Sequence, residues 1–332
     1  MLRILHGTNY DFIKPWRIAV GITAVFIVGG LAFLGIHGIN KSIEFTGGTL
    51  MQVQFQQPPN VGDIRATVDG AGYAGSEIQQ FGSPRDFTIR AAGHAQGGLV
   101  NNVEVASREI EAALHKKFGA TEPKVVRTEI VGARVGDELS RNAMIAIVIS
   151  LFVTLLYLAF RFEWRFGVAA VLATAHDLFS TLAFLAIMRL EVSLTVVAAL
   201  LTVIGYSLND TIIIFDRVRE NLKKARPEPL YVVLNRSINE TLPRSILTHV
   251  TVAAATLSLL LFAGEVIRPF SWIMLFGIVT GTFSSIYIAG PILLWIERKW
   301  PRQRGEKSAA RPTTPAAPTR PASAPPVAAR TR

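Results

Sequence analysis

Ionisable side chains interrupt several of the most hydrophobic stretches of this 332-residue sequence. His176 and Asp177 are neighbours within one stretch, Asn209 and Asp210 lie in the next, and Arg244 opens a later one. A charged side chain at the centre of a bilayer costs at least roughly 2.5 to 3.5 kcal/mol, so such residues usually face a bundle interior or a water-filled cavity. These residues are therefore the first candidates for a functional site.

Asp210 and Arg244 lie on successive hydrophobic stretches, with Asn209 beside the carboxyl group. A carboxyl group can gain and lose a proton, whereas a guanidinium group stays charged and influences the protonation of its neighbours. This combination predicts a reversible ion pair and a proton path through Asp210, Asn209 and Arg244. A static structural pair is the alternative, and the sequence alone leaves it open.

His176 and Asp177 allow two interpretations as well. An imidazole beside a carboxylate can act as a switchable pair or a proton relay. The same two side chains can instead form a static polar contact that holds helices together. They are a candidate intramembrane polar site. We expect His249, about a turn and a half after Arg244, to be a helix-contact residue.

Half of the residues are hydrophobic, which exceeds what one globular core of this size needs, so the excess must face lipid. Six stretches have roughly the 20 residues that cross a bilayer. The predicted transmembrane spans are 18–36, 142–160, 167–188, 194–215, 245–263 and 270–296. The first is too long for the hydrophobic region of a signal peptide, and no Ala-x-Ala site follows it, so we expect an uncleaved anchor.

The distribution of lysine and arginine predicts the orientation, because basic loops stay on the cytoplasmic side of a membrane. The loops 189–193 and 264–269 are not rich in these residues. The basic segments are 1–17, 161–165, 217–244 and 297–332. We therefore expect both termini in the cytoplasm and segment 37–139 on the outer side.

Segment 37–139 shows the pattern of a small α+β domain. Alternation with period two predicts strands, and two stretches of helical periodicity lie between them. The predicted strands are Thr49–Gln56, Glu77–Phe81, Asp86–Ala91 and Lys124–Val131, and the predicted helices are Asn60–Gly72 and Asn101–Phe118. This β-α-β-β-α-β order is that of a ferredoxin-like sandwich. The predicted fold class is an α-helical membrane protein, a six-helix bundle with a ferredoxin-like external domain between spans 1 and 2.

Small residues mark two further places. Gly47 and Gly48 follow the first span, and consecutive glycines permit backbone angles that side chains exclude, so we expect a turn or kink there. Gly277, Gly281 and Ser285 repeat at four-residue spacing in the last span. That spacing favours a close approach of helices.

The tail 297–332 is expected to be disordered, since seven of the 17 prolines lie from Pro301 onward among Ala, Thr and Arg, with little apolar surface to bury. Much of the net charge of +10 lies there. No reader motif accompanies it, so we do not expect a nucleic-acid partner. Because the chain has no cysteine, disulfides and thiolate metal sites are excluded. No phosphate-binding loop, metal-ligand cluster or activated nucleophile indicates an enzyme, a metal or a cofactor.

The order of these parts resembles the SecF subunit family of the bacterial accessory protein-translocation complex, within the resistance-nodulation-division superfamily. The resemblance covers roughly residues 10–300 and depends on four stretches, which are Phe45–Thr49, Val131–Leu139, Ala175–Leu178 and Ile204–Arg217. The family usually has proline where Ala133 stands, which concerns only the rigidity of the linker into the second span.

The resemblance implies a multi-pass protein of the bacterial cytoplasmic (inner) membrane. It implies a SecD-like partner, action after the SecYEG channel on unfolded preproteins, and use of protons. It also implies that Asp210 is the proton-path carboxyl group and Arg244 its basic counterpart. Two alternatives remain, which are a small-molecule exporter half of the same superfamily and a structural assembly subunit without a proton role.

The orientation is testable because any introduced cysteine would be the only thiol in the chain. Cysteines placed between residues 60 and 120 should react with a membrane-impermeant maleimide added to the outer side of intact cells. Labelling of these positions from the cytoplasmic side alone would contradict the predicted orientation.

Overall fold

A computed structural model of the protein describes residues 8–91, 102–119, 123–224, 228–264 and 266–301. Within these residues six helical segments are long and apolar enough to cross a membrane. In chain order the elements are α1 (Trp16–His37), α2 (Ile43–Thr46), β1 (Gly48–Gln54), α3 (Val61–Gly70), β2 (Glu77–Gln80), β3 (Asp86–Ala91), α4 (Asn102–Phe118), β4 (Lys124–Val131), α5 (Ala133–Arg161), α6 (Trp164–Ile187), α7 (Leu194–Lys224), α8 (Leu230–Phe262), α9 (Arg268–Ser284), a π turn (Ser285–Ala289) and α10 (Gly290–Lys299). The predicted fold class is confirmed. The predicted tail lies outside the described residues from 302 onward.

Helices α7 and α8 are longer than the predicted spans 194–215 and 245–263. Hydropathy marks where a helix leaves lipid, and a polar extension can continue it in water. Here Arg217 on α7 bonds Glu220 one turn later at 2.6 Å and reaches Glu240 on α8 at 2.6 Å. The first pair lies within α7 and the second joins the two extensions, so both helices have polar contacts beyond the apolar stretches.

The last predicted span is not one continuous α-helix. Residues Ser285–Ala289 form a π turn between α9 and α10. Pro291 follows at the start of α10, and proline has no amide hydrogen for the carbonyl of Tyr287 four residues earlier. The ladder of helical hydrogen bonds is interrupted there, and π turns of this kind recur at functional sites.

The α+β domain between α1 and α5, called the outer domain below, spans β1 to β4. It contains one four-stranded antiparallel sheet in the order β2-β3-β1-β4. This is the strand order of the predicted ferredoxin-like sandwich. Both helices of the domain bury apolar side chains against the sheet. The core residues are Met51, Val53, Phe55, Ile64, Val68, Phe87, Ile89, Ile110 and Leu114, among others.

One buried hydrogen bond ties the two helices of this domain together. The hydroxyl of Tyr73, just after α3, donates to Glu109 Oε2 on α4 at 2.7 Å. Burial and the adjacent Glu109 carboxylate raise the pKa of Tyr73 to about 12. The phenol therefore stays protonated and remains a donor throughout the physiological pH range.

The outer domain is docked onto the bundle through the segment that follows α1. The amide of Ser42 donates to the carbonyl of Val192 at 2.8 Å, in the loop between α6 and α7. Glu44 Oε2 accepts from the amide of Leu194 at 2.5 Å. From the sheet itself, Arg90 on β3 pairs with Glu191 at 2.5 Å. The ends of α6 and α7 at this loop therefore mark the domain side of the bundle.

The face of the sheet that carries no helix turns toward the bundle. A polar cavity of about 500 Å³ lies between this face and the loops on the domain side. Gln52, Thr88 and Arg127 line it from the sheet, and Arg189 and Thr195 from the bundle. Polar side chains of the sheet therefore face the bundle across this cavity, beside apolar side chains such as Leu50 and Trp272.

Gly47 and Gly48 lie where α2 ends and β1 begins, with φ of +70° and +127°. Both values fall in the region that favours glycine. The backbone of Gly47 lies against Gly136 of α5. A Cβ added at Gly136 would lie 2.9 Å from the backbone nitrogen of Gly47. A side chain at Gly136 would push α5 away from the start of the sheet.

A close approach of this kind also holds α1 to α6. A Cβ at Gly30 would lie 2.3 Å from Ala183 Cβ, whereas a Cβ at the preceding Gly29 would meet nothing within 4 Å. Gly30 is therefore in close contact with α6, whereas the adjacent Gly29 faces away from it.

We expect Gly30→Val to destabilise the bundle by about 1–3 kcal/mol, the usual cost of overpacking. Gly29→Val makes the same chemical change and the same change in helix propensity without the clash, so it is the matched control. The midpoint of thermal unfolding of the purified protein in detergent measures both. Equal midpoints for the two variants would contradict the close contact between α1 and α6.

Candidate functional site

Two buried carboxyl groups lie inside the helix bundle at different depths. Asp177 is ten residues before the end of α6, which corresponds to about 15 Å along the helix axis. Asp210 is 16 residues after the start of α7, or about 24 Å along that axis. Both distances start from the domain side, so Asp210 lies about 9 Å deeper. Each carboxyl group is surrounded by its own set of polar side chains.

The cluster around Asp177 is fully hydrogen-bonded at the carboxyl group, which is 1% exposed. Oδ1 lies 3.0 Å from Nδ1 of His176. Oδ2 accepts from the hydroxyl of Ser207 on α7 and, at 2.6 Å, from that of Ser284 at the end of α9. The Asp177 cluster therefore connects three helices.

Glycine makes this convergence possible. A Cβ at Gly281 would lie 2.9 Å from Ser207 Cβ, and a Cβ at Gly277 would lie 2.3 Å from Val203. The backbones of α7 and α9 consequently approach closely enough for short serine side chains to reach one carboxylate. The predicted close-packing stripe of Gly277, Gly281 and Ser285 lies on this contact.

The cluster around Asp210 is only partly satisfied. The hydroxyl of Ser245 on α8 donates to Oδ1 at 2.5 Å. Oδ2 is buried and accepts no hydrogen bond from the described residues. Asp210 itself is 4% exposed. One acceptor atom of a deeply buried carboxyl group thus remains available to bind a proton.

Tyr206 and His249 complete the Asp210 cluster. Tyr206 precedes Asp210 by one helical turn on α7, and His249 follows Ser245 by one turn on α8. Their rings meet edge to face, with centroids 5.3 Å apart and an interplanar angle of 82°. The Tyr206 hydroxyl and His249 Nδ1 are both buried and without a partner among the described residues.

A single hydroxyl pair lies between the two clusters. Thr211, which follows Asp210, is 3.0 Å from Ser285 of the π turn through their side-chain oxygens. Ser285 directly follows Ser284 of the Asp177 cluster. Polar side chains therefore extend from one carboxyl group to the other through the centre of the bundle.

The predicted ion pair between Asp210 and Arg244 is absent from the described residues. Ser245 takes the position next to the carboxyl group, and Arg244 is exposed. Consecutive residues of a helix differ by about 100° in direction, so Ser245 and Arg244 cannot both face α7. Asn209 is likewise exposed, because Asp210 is the residue that faces α8.

The structure assembles side chains that the sequence interpretation did not select. They are the hydroxyl residues Ser207, Ser245 and Ser284 and the aromatic residue Tyr206. A usable signal was present for two of them, since Tyr206 is one turn from Asp210 and Ser245 one turn from His249. Ser207 and Ser284 carry no such signal, because only the helix packing brings them to Asp177.

The described residues contain no group of three or more His, Cys, Asp or Glu side chains that could hold a metal ion. The carboxyl and imidazole groups of these clusters are of the kind that can bind and release protons. A carboxyl group, an imidazole and several hydroxyls are the groups that proton-conducting membrane proteins place between helices.

Comparison with known proteins identifies the family. The model described as "Protein export membrane protein SecD/SecF, C-terminal" matches residues 110–299, and the "SecD/SecF GG Motif" matches residues 32–59. The protein translocase subunit SecF of Gemmatimonas aurantiaca is 60% identical over 305 residues, which cover 91% of both chains. That of Desulfurispirillum indicum is 40% identical over 290 residues, covering 86% of this chain and 90% of the relative.

Solved structures agree. The crystal structure of SecDF, a translocon-associated membrane protein from Thermus thermophilus, matches with a TM-score of 0.79 and 34% identity. The match covers 90% of this chain and 40% of that longer one. A SecDF structure in a super-membrane-facing form matches with a TM-score of 0.64. With both family models in their expected places and SecF subunits similar over nearly the whole length, the chain belongs to the SecF family of protein translocase subunits.

Proposed function

We propose that this chain is an auxiliary subunit of the bacterial Sec preprotein translocase and couples proton flow to protein export together with a SecD-type partner. Its relatives are named protein translocase subunits. The observation that supports the proton step is Asp210, a carboxyl group within the bundle that has a hydroxyl donor on one oxygen and none on the other. Such a group is built to change protonation, whereas a purely structural carboxylate is normally satisfied on both oxygens.

Arg244 supports the presence of a partner. It is exposed on α8 at the level of the Asp210 cluster and forms no ion pair within the described chain. Placing a guanidinium group in lipid costs at least roughly 2.5 kcal/mol of free energy. A polar surface of another subunit is therefore a more favourable environment for Arg244. A SecD-type bundle provides that surface, since the similar SecDF structure joins both parts in one chain.

The broad apolar surface of α5 supports the same conclusion. Its exposed side chains include Met144, Val148, Phe152, Leu155 and Phe160. None of the most apolar 18-residue stretch of this helix is buried by the described residues. Lipid and a partner bundle together cover such a face.

The proposed location is the bacterial cytoplasmic (inner) membrane with both termini in the cytoplasm. The outer domain then faces the side on which preproteins emerge from the SecYEG channel. In this orientation protons enter from the domain side, reach Asp210 in the inner half of the bundle and leave toward the cytoplasm.

His176 and Asp177 have a different role in this proposal. Both carboxylate oxygens of Asp177 are satisfied, and its partners come from three helices. This arrangement favours a static polar contact that fixes the packing of α6, α7 and α9 around the proton site.

Asp210→Asn tests the proton step, because the amide keeps the shape of the side chain and accepts from Ser245 but cannot ionise. The variant should assemble with its SecD-type partner and lose secretion that depends on the proton motive force. Secretion is measured as preprotein uptake into inverted membrane vesicles with and without an uncoupler.

Asp216→Asn is the matched control, since the same change is made two turns later on α7 at an exposed carboxylate that pairs with Arg161 at 3.5 Å. It should leave secretion unchanged. Full secretion by assembled Asp210→Asn would favour the structural-subunit alternative.

Arg244 is expected to act through the partner interface. Arg244→Ala should abolish proton-dependent secretion, and Arg244→Lys should retain part of it, because the charge remains while the bidentate guanidinium fork is lost. Co-purification of the partner and vesicle uptake are measured side by side. Normal uptake with the alanine variant would exclude a role for this side chain.

A further inference from the structure

His249 is the second titratable group of the Asp210 cluster. Its Nδ1 is buried and has no partner among the described residues, whereas the residue as a whole is only partly buried. His249 therefore has one edge in the interior, and part of the residue reaches the surface of the chain. The edge of Tyr206 holds the ring in this orientation.

Asp210 and His249 face each other across the contact between α7 and α8. Ser245, one turn from His249 on α8, donates to Asp210 Oδ1 at 2.5 Å. The two ionisable groups are close enough for their charges to interact. The unpartnered Oδ2 of Asp210 and the unpartnered Nδ1 of His249 are both buried, and both belong to side chains at the contact between these two helices.

Few other ionisable groups lie near this contact between Asp210 and His249. Helix α7 contributes Tyr206. On α8, the neighbouring Arg244 is turned away and exposed. Helix α9 also packs against α8, but its one charged residue, Arg268, is at the far end on the domain side. From the π turn, Ser285 contributes a hydroxyl group, and the ring of Tyr287 lies against Phe283 at 4.9 Å.

Near the polar end of α8 the charged side chains are engaged elsewhere. Glu240 bonds Arg217 at 2.6 Å and Asn221 at 2.8 Å. Arg236 pairs with Glu228 at 3.0 Å. His249 is therefore the one imidazole among the described residues that faces the Asp210 carboxyl group.

We propose that His249 relays protons between the outside of the chain and the carboxyl group of Asp210. A proton binds the other ring nitrogen, Nε2, of the neutral ring, and the proton on Nδ1 passes to Asp210 Oδ2. The ring becomes neutral again with its proton on the other nitrogen, and the carboxylate becomes a carboxylic acid. Imidazole suits this step because it accepts on one nitrogen while it donates from the other.

This inference rests on the proposed proton coupling through Asp210 and deepens it. The sequence interpretation of His249 as a helix-contact residue describes the same ring, since its contact with Tyr206 is what places it. The relay adds a chemical role to that contact.

The test uses the full chain assembled with its SecD-type partner in liposomes that enclose a pH-sensitive dye. Proton uptake is measured over a range of external pH. His249→Gln keeps a polar side chain of similar size without an exchangeable ring. It should lower the rate to about one tenth of wild type near neutral pH, a modest share of what a positioned proton-transfer group contributes. The deficit should shrink as the external pH falls, because a higher proton concentration supplies Asp210 directly.

His37→Gln is the matched control. It makes the same substitution on an exposed ring that stacks on Phe33 at 4.1 Å at the end of α1, and it should behave as wild type. Asp210→Asn is measured in the same assay and should conduct no protons at any pH.

The outcomes separate the two proposals. A wild-type rate and pH profile for His249→Gln, with Asp210→Asn inactive, would overturn the relay and leave the proton step at Asp210 standing. Wild-type uptake by Asp210→Asn would overturn both. An equal loss at every pH would assign His249 a positioning role only. If His249→Gln does not assemble, His249→Asn takes its place, and failure of both to assemble would make the residue structural and overturn the relay.

Discussion

The bundle depends on burying two carboxyl groups where neither lipid nor bulk water solvates them. Hydroxyl groups from neighbouring helices replace water around Asp177 and, in part, around Asp210. Serine is short, so the helices that carry it must approach to within backbone contact. The glycines of α9 allow this approach, and any side chain there would collide with Val203 or Ser207. The carboxyl groups can therefore be hydrogen-bonded only if the helices pack closely.

The two clusters use this requirement differently. Asp177 has a partner on each oxygen and connects α6, α7 and α9, as expected of a fixed point of the fold. Asp210 retains a free acceptor and lies beside an imidazole. A buried polar group with one unmet hydrogen bond costs about 1–3 kcal/mol, and a protein retains such a cost at sites where the group changes its state. In the mechanism that we propose, the partly satisfied cluster is the functional one, and the satisfied cluster supports it.

A mechanical connection leads from the bundle to the outer domain. Helix α5 begins directly after β4 and contacts the turn at Gly47 through Gly136, so a shift of this helix acts on the end of the sheet where β1 starts beside the last residue of β4. The ion pair between Arg90 and Glu191 holds the same sheet on the loop between α6 and α7. Helices α6 and α7 carry the two buried carboxyl groups. Rearrangement around Asp210 therefore has short, packed routes to the domain.

The sequence by itself determined the six apolar spans, the α+β domain between the first two and the buried ionisable residues. Hydropathy and strand alternation are local properties that a single chain displays directly. The ends of α7 and α8 were beyond it, because contacts between the two helices, among them the Arg217–Glu240 ion pair, continue them past the apolar stretch. It also paired Asp210 with Arg244, the basic residue that opens the next hydrophobic stretch. The one-turn spacing of Ser245 and His249 shows that they share a face of α8, but only the tertiary structure decided that this face meets Asp210, since the rotation of α8 about its axis is set by packing against α7 and α9.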